Sequence, residues 1–485
     1  MISLKSTTRL ALLALGAVLG SARAAEAPGG AAHSAKAGRM NVLFIMSDQH
    51  NARALGSSGN QEVKTPNLDA LAAAGAVFTH AICQTGQCVP SRFSIWTGRY
   101  ARSTGTYANG QGQNPAERTV ADLFDPAGYY CATIGKHHQD MTPENHNHGF
   151  ALVKVIPVTR VYGKALPYDW AHPGRDLVGE AKVPNEQHNA GMTAQTTIDF
   201  LKEHGSKPFV VWCSFYGPHT PICVSKPWSE MYDPKRVTLP PTWNQKDDEL
   251  PGMESFIRKS GQYGSEQLYR ETLAYYYGYV SQIDYNIGRV LQALDDLRLS
   301  DHTIVVYTAD HGEMMAEHSM WTKAETGYEA TIRVPLIIRA PGLLAPGTRV
   351  SNLACSIDLL PTLLSAAGLT IPANVQGKSL IPLANGRSVG WRKYAFSELG
   401  ANVNTQAVTV TSETAKYVRY KKAGNVEYEQ LFDLAKDPWE TKNLARVAAY
   451  APVREELKAA LAHWEASSST AQPVLDSAGS KTALD

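Results

Sequence analysis

The 485 residues, 44% hydrophobic and 19% charged, are enough for one large domain with a smaller one, or for two to three ordinary domains. Lys+Arg 46 against Asp+Glu 45 leave a net charge of +1, which excludes the basic footprint of a nucleic-acid binder and the acidic excess of a solvating tail. Beyond the N-terminus no run reaches the roughly eighteen apolar residues of a membrane helix, so no membrane anchor is expected.

The chain opens on a processing segment. Lys5 and Arg9 form a basic stretch, residues 10–19 an apolar core too short to span a bilayer, and Ala22-Arg23-Ala24 a cleavage site. Residues 1–24 read as a signal peptide and 25–39 as a flexible lead-in, so the expected location is outside the cytoplasm, in a periplasm. No cysteine follows the cleavage site to carry a lipid.

Residues 41–46 are a continuous apolar run, the pattern of a central parallel strand buried on both faces, and they end at Ser47-Asp48-Gln49-His50. Thr65-Pro66 then offers an N-cap with proline at the first helical position, residues 67–74 a helix and Gly75 its stop. Residues 193–204 predict a second helix, leading into a strand over 209–215 with His219 just past it. A long helix is expected over 267–297, with Leu268, Val280, Ile283, Ile287, Leu291 and Leu294 on its core stripe. It feeds a strand over 303–307 that ends at Thr308-Ala309-Asp310-His311-Gly312. Another strand is expected over 332–339 and a helix over 358–367. This alternation predicts an α/β fold, a mostly parallel sheet sandwiched by helices. Ligand sites of such sheets lie beyond the carboxyl ends of the strands, where Asp48, His219 and Asp310 all fall. Short strands expected over 393–398, 405–411, 415–420 and 429–434, then a helix over 453–466, predict a smaller C-terminal α+β domain on an antiparallel sheet. The organisation is thus a main domain of residues 40–374, a subdomain of 375–466 and a Ser/Ala-rich tail of 467–485, expected to be disordered.

Six cysteines remain, Cys83, Cys88, Cys131, Cys213, Cys223 and Cys355, irregularly spaced in a chain too large to need staples. Cys213, in an apolar run, reads as core. Cys88 is different in its surroundings: Cys88-Val89-Pro90-Ser91-Arg92 is followed five residues later by Thr97-Gly98-Arg99. Alone, such a cysteine is most often a small buried hydrophobe or a disulfide partner in an exported chain. The Cys-x5-Arg phosphate loop of tyrosine phosphatases does not fit, because the spacing is too short and no Gly-rich cradle lies inside it.

Other blocks give the cysteine motif its meaning. In chain order they are Asp48-Gln49, Gly135-Lys136-His137-His138, Pro218-His219-Thr220-Pro221, Asp310-His311-Gly312-Glu313, Trp321-Thr322-Lys323 before Arg333, and Leu431 to Leu434 with Asp437-Pro438 and Asn443-Leu444. With Cys88 and Arg92 they resemble the type I, formylglycine-dependent sulfatases of the alkaline phosphatase-like superfamily. The resemblance implies that Cys88 is oxidised to formylglycine (3-oxoalanine) by a formylglycine-generating maturation enzyme. It implies a cation held by Asp48, Gln49, the Cys88-derived side chain, Asp310 and His311. Mostly hard oxygen donors suit Ca²⁺, the family's usual ion, with Mg²⁺ the less favoured choice. By resemblance, one hydroxyl of the aldehyde hydrate attacks sulfur and expels the alcohol. In that step Lys323 and His219 bind sulfate and assist the leaving group; His138 then takes the proton of the remaining hydroxyl, expelling sulfate and regenerating the aldehyde, while Lys136 stabilises charge and Arg92 fixes the modified side chain.

Several readings stay open at this level. Taken alone, Asp310-His311-Gly312 is equally a polar turn, Lys136 a solvated surface lysine, and His146-Asn147-His148 a polar loop more than a metal site. Gln49 stands where many relatives carry a second Asp, and His137 where Trp is common. His50, Arg53, His137 and Arg175 are candidates for an outer pocket. Export favours a sulfated carbohydrate as substrate. The alternatives are a phosphodiester or phosphonate monoester hydrolase on the same scaffold, and a glycan-binding protein without catalysis.

Overall fold

The apolar run near the start forms β1 (Asn41–Asp48), buried along its whole length. Seven more strands complete the main sheet: β2 (Ala76–Phe78), β3 (Tyr130–Gly135), β4 (Leu152–Val155), β5 (Phe209–Pro218), β6 (Thr303–Ala309), β7 (Leu336–Arg339) and β8 (Thr348–Val350). Their order is β8-β2-β7-β6-β1-β5-β3-β4. β1 runs parallel to both neighbours, and β3 parallel to β5 and β4. Only β7 is antiparallel to its neighbours. The computed structural model describes residues 39–139, 147–157, 178–245, 265–323, 326–402 and 405–468. The expected signal peptide, residues 25–38 of the lead-in, His146, Arg175 and the tail from 469 lie outside them.

Buried on both faces, the central strands feed two core layers with alternate residues. Leu43, Ile45, Val211, Cys213, Val305 and Tyr307 meet α1 (Pro66–Ala73), α3 (Asn189–His204) and α4 (Glu266–Asp296). Val42, Phe44, Met46, Trp212, Ile304 and Val306 face α2 (Cys88–Thr97) and α5 (Leu359–Ala366). Phe44 stacks on Trp212, with ring centroids 3.5 Å apart. The helix-sandwiched, mostly parallel sheet is the expected one. All six cysteines are buried and unpaired, and no helix among the described residues is long and apolar enough to cross a membrane.

Local details differ where tertiary partners outweigh local signals. Thr65 precedes α1 but its side chain does not cap it; Asp284 of α4 accepts from Asn67 N at 3.2 Å and Leu68 N at 2.8 Å instead. α3 starts at Asn189 rather than at 193, because the His188 ring caps it by accepting from Ala190 N at 3.1 Å. The strand expected over 332–339 is broken by Pro335, which has no N–H to pair. On α4 the buried side is rich in tyrosine, Tyr269, Tyr276, Tyr277 and Tyr279, with Val280, Ile283, Ile287 and Leu294; Leu268 and Leu291 sit at its margin.

The C-terminal strands β9 (Ala395–Asn402), β10 (Thr405–Thr411), β11 (Ala415–Lys422) and β12 (Asn425–Asp433) form an antiparallel sheet in chain order. One face, with Val408, Val410, Tyr417 and Leu431, packs on Leu457, Leu461 and Trp464 of α6 (Ala451–Ser467). The other face, with Leu399, Ala407, Val418 and Phe432, joins the core on the α2 side of the main sheet.

The α4 stripe yields a contrast. Ile283→Ala removes a side chain that is 1% exposed and should cost about 2–5 kcal/mol. Leu268→Ala, at the margin, should cost roughly 1 kcal/mol or less. Urea unfolding of the two variants checks this; equal losses would mean that the buried stripe is assigned wrongly.

Candidate active site

Cys88 is the first residue of α2, and the helix points its N-terminus at the carboxyl ends of β1, β6, β3 and β5. Asn109 caps that end, its Oδ1 accepting from Val89 N at 3.0 Å. Val89 N is thus taken, Pro90 has no N–H and Ser91 N donates to Gln87 O, so what the helix start offers an anion is its dipole.

Arg92, one turn further on, is 1% exposed, and its donors reach four strand ends. Nη2 donates to Asp48 Oδ2 and Nε to Asp310 Oδ2, both at 2.8 Å, and Nη1 donates to Lys136 O and Ser214 Oγ, both at 2.7 Å. The guanidinium therefore secures the carboxylates rather than donating to Cys88. Gly135 makes the β3 end possible: φ is +96°, and a Cβ there would lie 2.0 Å from Ser214 O.

Around the thiol, Sγ lies 3.2 Å from His311 Nε2, 3.7 Å from Asp48 Oδ1 and 3.0 Å from Lys323 Nζ. His138 is within hydrogen-bonding reach of it. Lys323 Nζ also meets His219 Nε2 at 3.1 Å, while His219 Nδ1 donates to Thr220 O. Lys136 Nζ is 2.9 Å from Asp48 Oδ2 and 4.4 Å from the Tyr216 ring centre, which excludes a solvated surface lysine. Thus Asp48, Gln49, Cys88, Arg92, Lys136, His138, His219, Asp310, His311 and Lys323 converge on one place.

The electrostatics favour an anion at Cys88. Burial alone would raise the thiol, but Lys323, Lys136 and His311 hold it well below the usual thiol range. Burial, with Lys136 and Lys323, pulls His219 down to about 4, so its ring is neutral at pH 7. His137 is likewise held at about 4, by burial and then by Arg92 and the neighbouring histidines. Burial and the nearby Asp48 push Asp310 up.

The donor set fits a hard divalent cation. One ligand atom each from Asp48, Cys88, Asp310 and His311 lies within 4.8 Å of all the others. His311 Nδ1 is 2.8 Å from Gly312 O, which leaves Nε2 as the coordinating lone pair. Gln49 Oε1 is buried without a hydrogen-bond partner, while its Nε2 donates to Glu313 Oε2. An unpartnered buried amide oxygen beside two carboxylates fits a hard divalent cation.

The sequence of the Sulfatase family model matches residues 40–369, about two thirds of the chain. The chain belongs to the sulfatase family. It is a sulfuric ester hydrolase. Its C-terminal part, residues 316–467, matches the family model of the N-sulphoglucosamine sulphohydrolase C-terminal region. An arylsulfatase of Clostridium perfringens is 31% identical over 457 residues, covering 84% of this chain and 91% of that one. Among solved structures, a phosphonate monoester hydrolase of Agrobacterium radiobacter superposes with a TM-score of 0.75 at 26% identity, over 88% of this chain and 96% of that one. A protein solved in complex with its substrate D-glucosamine-2-N,6-O-disulfate gives 0.74 at 22% identity, over 88% and 98%, and so shares the fold.

Two of the outer-pocket candidates, His50 and Arg53, are placed elsewhere. His50 is core: its ring meets Tyr307 OH at 2.5 Å and Ala54 O at 2.8 Å. Arg53 pairs with Glu317 at 3.0 Å and caps the Trp439 ring, joining the sulfatase's main sheet region to its C-terminal part. His148, of the cluster read as a polar loop, is buried and packs edge-on against Phe93. The sequence reading assigned no role to Ser214, Tyr276 or Glu313. Tyr276 Oη donates to Gln49 O at 2.9 Å and accepts from Asn51 N at 2.9 Å, holding the turn after β1. Glu313 had a signal, its place next to Asp310-His311-Gly312; a serine inside a strand and a tyrosine on a distant helix had none.

Removing the guanidinium should expose the constraint it satisfies. Arg92→Met takes the paired arginine from buried Asp310 and leaves Asp48 with Lys136 alone, and should cost about 3–5 kcal/mol, read by urea unfolding of the metal-free sulfatase. A loss below roughly 1 kcal/mol would place it with solvent-exposed ion pairs and sink the bridging role.

Proposed function

We propose that this sulfatase removes sulfate from a sulfated carbohydrate, with the Cys88 side chain, converted to formylglycine by a maturation enzyme, as nucleophile. The observation that carries the reading is the position of Cys88 at the start of α2, ringed by Lys323, His311 and Asp48 within 3.7 Å. The carbohydrate class is supported by the N-sulphoglucosamine sulphohydrolase match and by the sulfated glucosamine bound to the structural neighbour. Export to a periplasm belongs to the same reading and rests on residues 1–24 of the sequence alone.

The hydrated aldehyde would supply a hydroxyl nucleophile, and a bound Ca²⁺, rather than Mg²⁺, would supply Lewis acidity toward the sulfate group. Asp48, Gln49, Asp310 and His311 would hold the ion, with the modified residue 88 as the further ligand. Arg92 keeps Asp48 and Asp310 oriented toward it. Lys136, fixed between Asp48 and the Tyr216 ring, adds positive charge beside the nucleophile. Lys323 binds the sulfate group and, with His219 behind it, steadies the departing alcohol oxygen. His138, in reach of residue 88, is the base for the remaining hydroxyl proton.

A phosphonate or phosphodiester hydrolase remains the second reading, favoured by the Agrobacterium neighbour's fold and identity. Turnover of an aryl sulfate and an aryl phosphonate with the same leaving group decides between them: the sulfate should be preferred, and a preference for the phosphonate overturns the proposal.

Two further outcomes are expected. Peptide mass spectrometry across residues 78–99 of protein from the native host should find Cys88 as formylglycine; an unmodified thiol in active enzyme removes the mechanism. Lys323→Ala should lower kcat on an aryl sulfate by about 100- to 1,000-fold, while a change below about threefold would take Lys323 out of the reaction.

A further inference from the structure

We propose that Glu313 is a positioning residue that turns Gln49 into a cation ligand and seats Lys323 in the same act. The inference rests on the calcium reading above. Glu313 is 1% exposed, and its carboxylate makes only acceptor contacts. Oε2 accepts from Gln49 Nε2, and Oε1 accepts from Met315 N at 3.2 Å and from Thr322 N. Its own carbonyl accepts from Asn51 Nδ2 at 2.6 Å. One side chain thus ties the turn after β1 to both ends of the loop that leads to Lys323.

The first consequence concerns the amide. A glutamine side chain has a donor end and an acceptor end of nearly the same shape, and only its partners decide which way it lies. With Nε2 committed to Glu313, the acceptor Oε1 is left over, buried and unpartnered, in a residue whose N–H donates to Asp310 Oδ1 at 3.1 Å. A buried acceptor without a donor is unfavourable, and a cation beside Asp310 relieves it. The same contact explains why an amide stands here in place of a second carboxylate. Aspartate or glutamate at 49 would face the Glu313 carboxylate at hydrogen-bond distance, and like charges so close in a buried site oppose each other.

The second consequence concerns the loop. Met315, Ala316, His318, Ser319 and Thr322 have φ of 51°, 71°, 54°, 59° and 64°, all in the left-handed region that residues other than glycine seldom adopt. Such a loop needs an external clasp. Glu313 Oε1 grips it at Met315 and Thr322, next to the Met314 N donation to Thr322 O at 3.0 Å. Lys323 follows at once, with Nζ 3.0 Å from Cys88 Sγ.

Calcium affinity, measured on the purified full-length chain by competition with a chromogenic chelator, tests this without relying on turnover. In Glu313→Gln the new amide accepts from the loop N–H groups and presents its NH₂ to Gln49, which must rotate and offer nitrogen to the ion. Its calcium Kd should rise about tenfold or more. The double variant Gln49→Glu/Glu313→Gln swaps carboxylate and amide while keeping size and total charge. It should return Kd to within about threefold of wild type, and kcat/KM on an aryl sulfate should recover with it. The proposal is overturned if Glu313→Gln binds calcium like wild type, or if the swap binds no better than Glu313→Gln. Should the single variant fail to fold, the swap decides alone: folded with near-wild-type affinity supports the pairing, and anything else removes it. Wild-type protein without calcium affinity would instead take down the cation reading itself, and the pairing with it.

Discussion

A buried guanidinium holds four strand ends to the first turn of a helix, and the geometry of the site follows from that arrangement. Arg92 reaches the ends of β1 and β6 through Asp48 and Asp310, the end of β3 through Lys136 O, and β5 through Ser214 Oγ. Burying one cation with two carboxylates is unfavourable unless every donor and acceptor is satisfied. Here the requirement sets the distances between strands, because a strand end displaced by an ångström would strand a charge. Cys88 sits one turn before Arg92 on the same helix, so its position relative to Asp48 and Asp310 is set by the same bridge.

The residues adjoining the reacting groups adopt backbone conformations that their local sequence does not favour. Gln49, His138 and Thr322 have φ of 63°, 50° and 64°, at a cost of the order of 1–3 kcal/mol each. At Gln49 and Thr322 the compensating contacts are visible. Tyr276 holds the Gln49 carbonyl, Asp310 its N–H, and Glu313 both the Gln49 amide and the Thr322 N–H. These turns are shaped by tertiary partners, which is why glycine is not needed at them.

Much of this was legible in the chain. The continuous apolar runs of β1, β5 and β6 announce a parallel sheet covered on both faces, and Asp48, His219 and Asp310 stand at strand ends as that topology requires. What was illegible depends on distant partners. Asp284 caps a helix more than two hundred residues earlier in the chain, a contact no local pattern encodes. The buried side of α4 is lined by tyrosines, whose hydroxyls make a polar count look like solvent exposure. Arg53 and His50 read as pocket residues because charge near a motif suggests ligand contact. In the fold one faces Glu317 and the other Tyr307.

The proton inventory around Lys323 bears on how the leaving group would be served in the proposed reaction. His219 donates its Nδ1 proton to Thr220 O, so Nε2 has only a lone pair to offer, and that lone pair faces Lys323 Nζ. Burial and the two lysines keep the ring neutral near pH 7. Burial also works against charge on Lys323, but in the unmodified protein Cys88 and Asp48 hold its pKa above the ordinary lysine value. The proton of the pair therefore rests on the lysine. Protonating both would set two cations 3.1 Å apart in a buried site that already holds Lys136. In the proposed reaction Lys323 would thus be the group with a proton to share with a departing oxygen, and His219 would act by accepting from it and holding it in place. An anion at residue 88 would then meet an ammonium group that His219 already holds beside it.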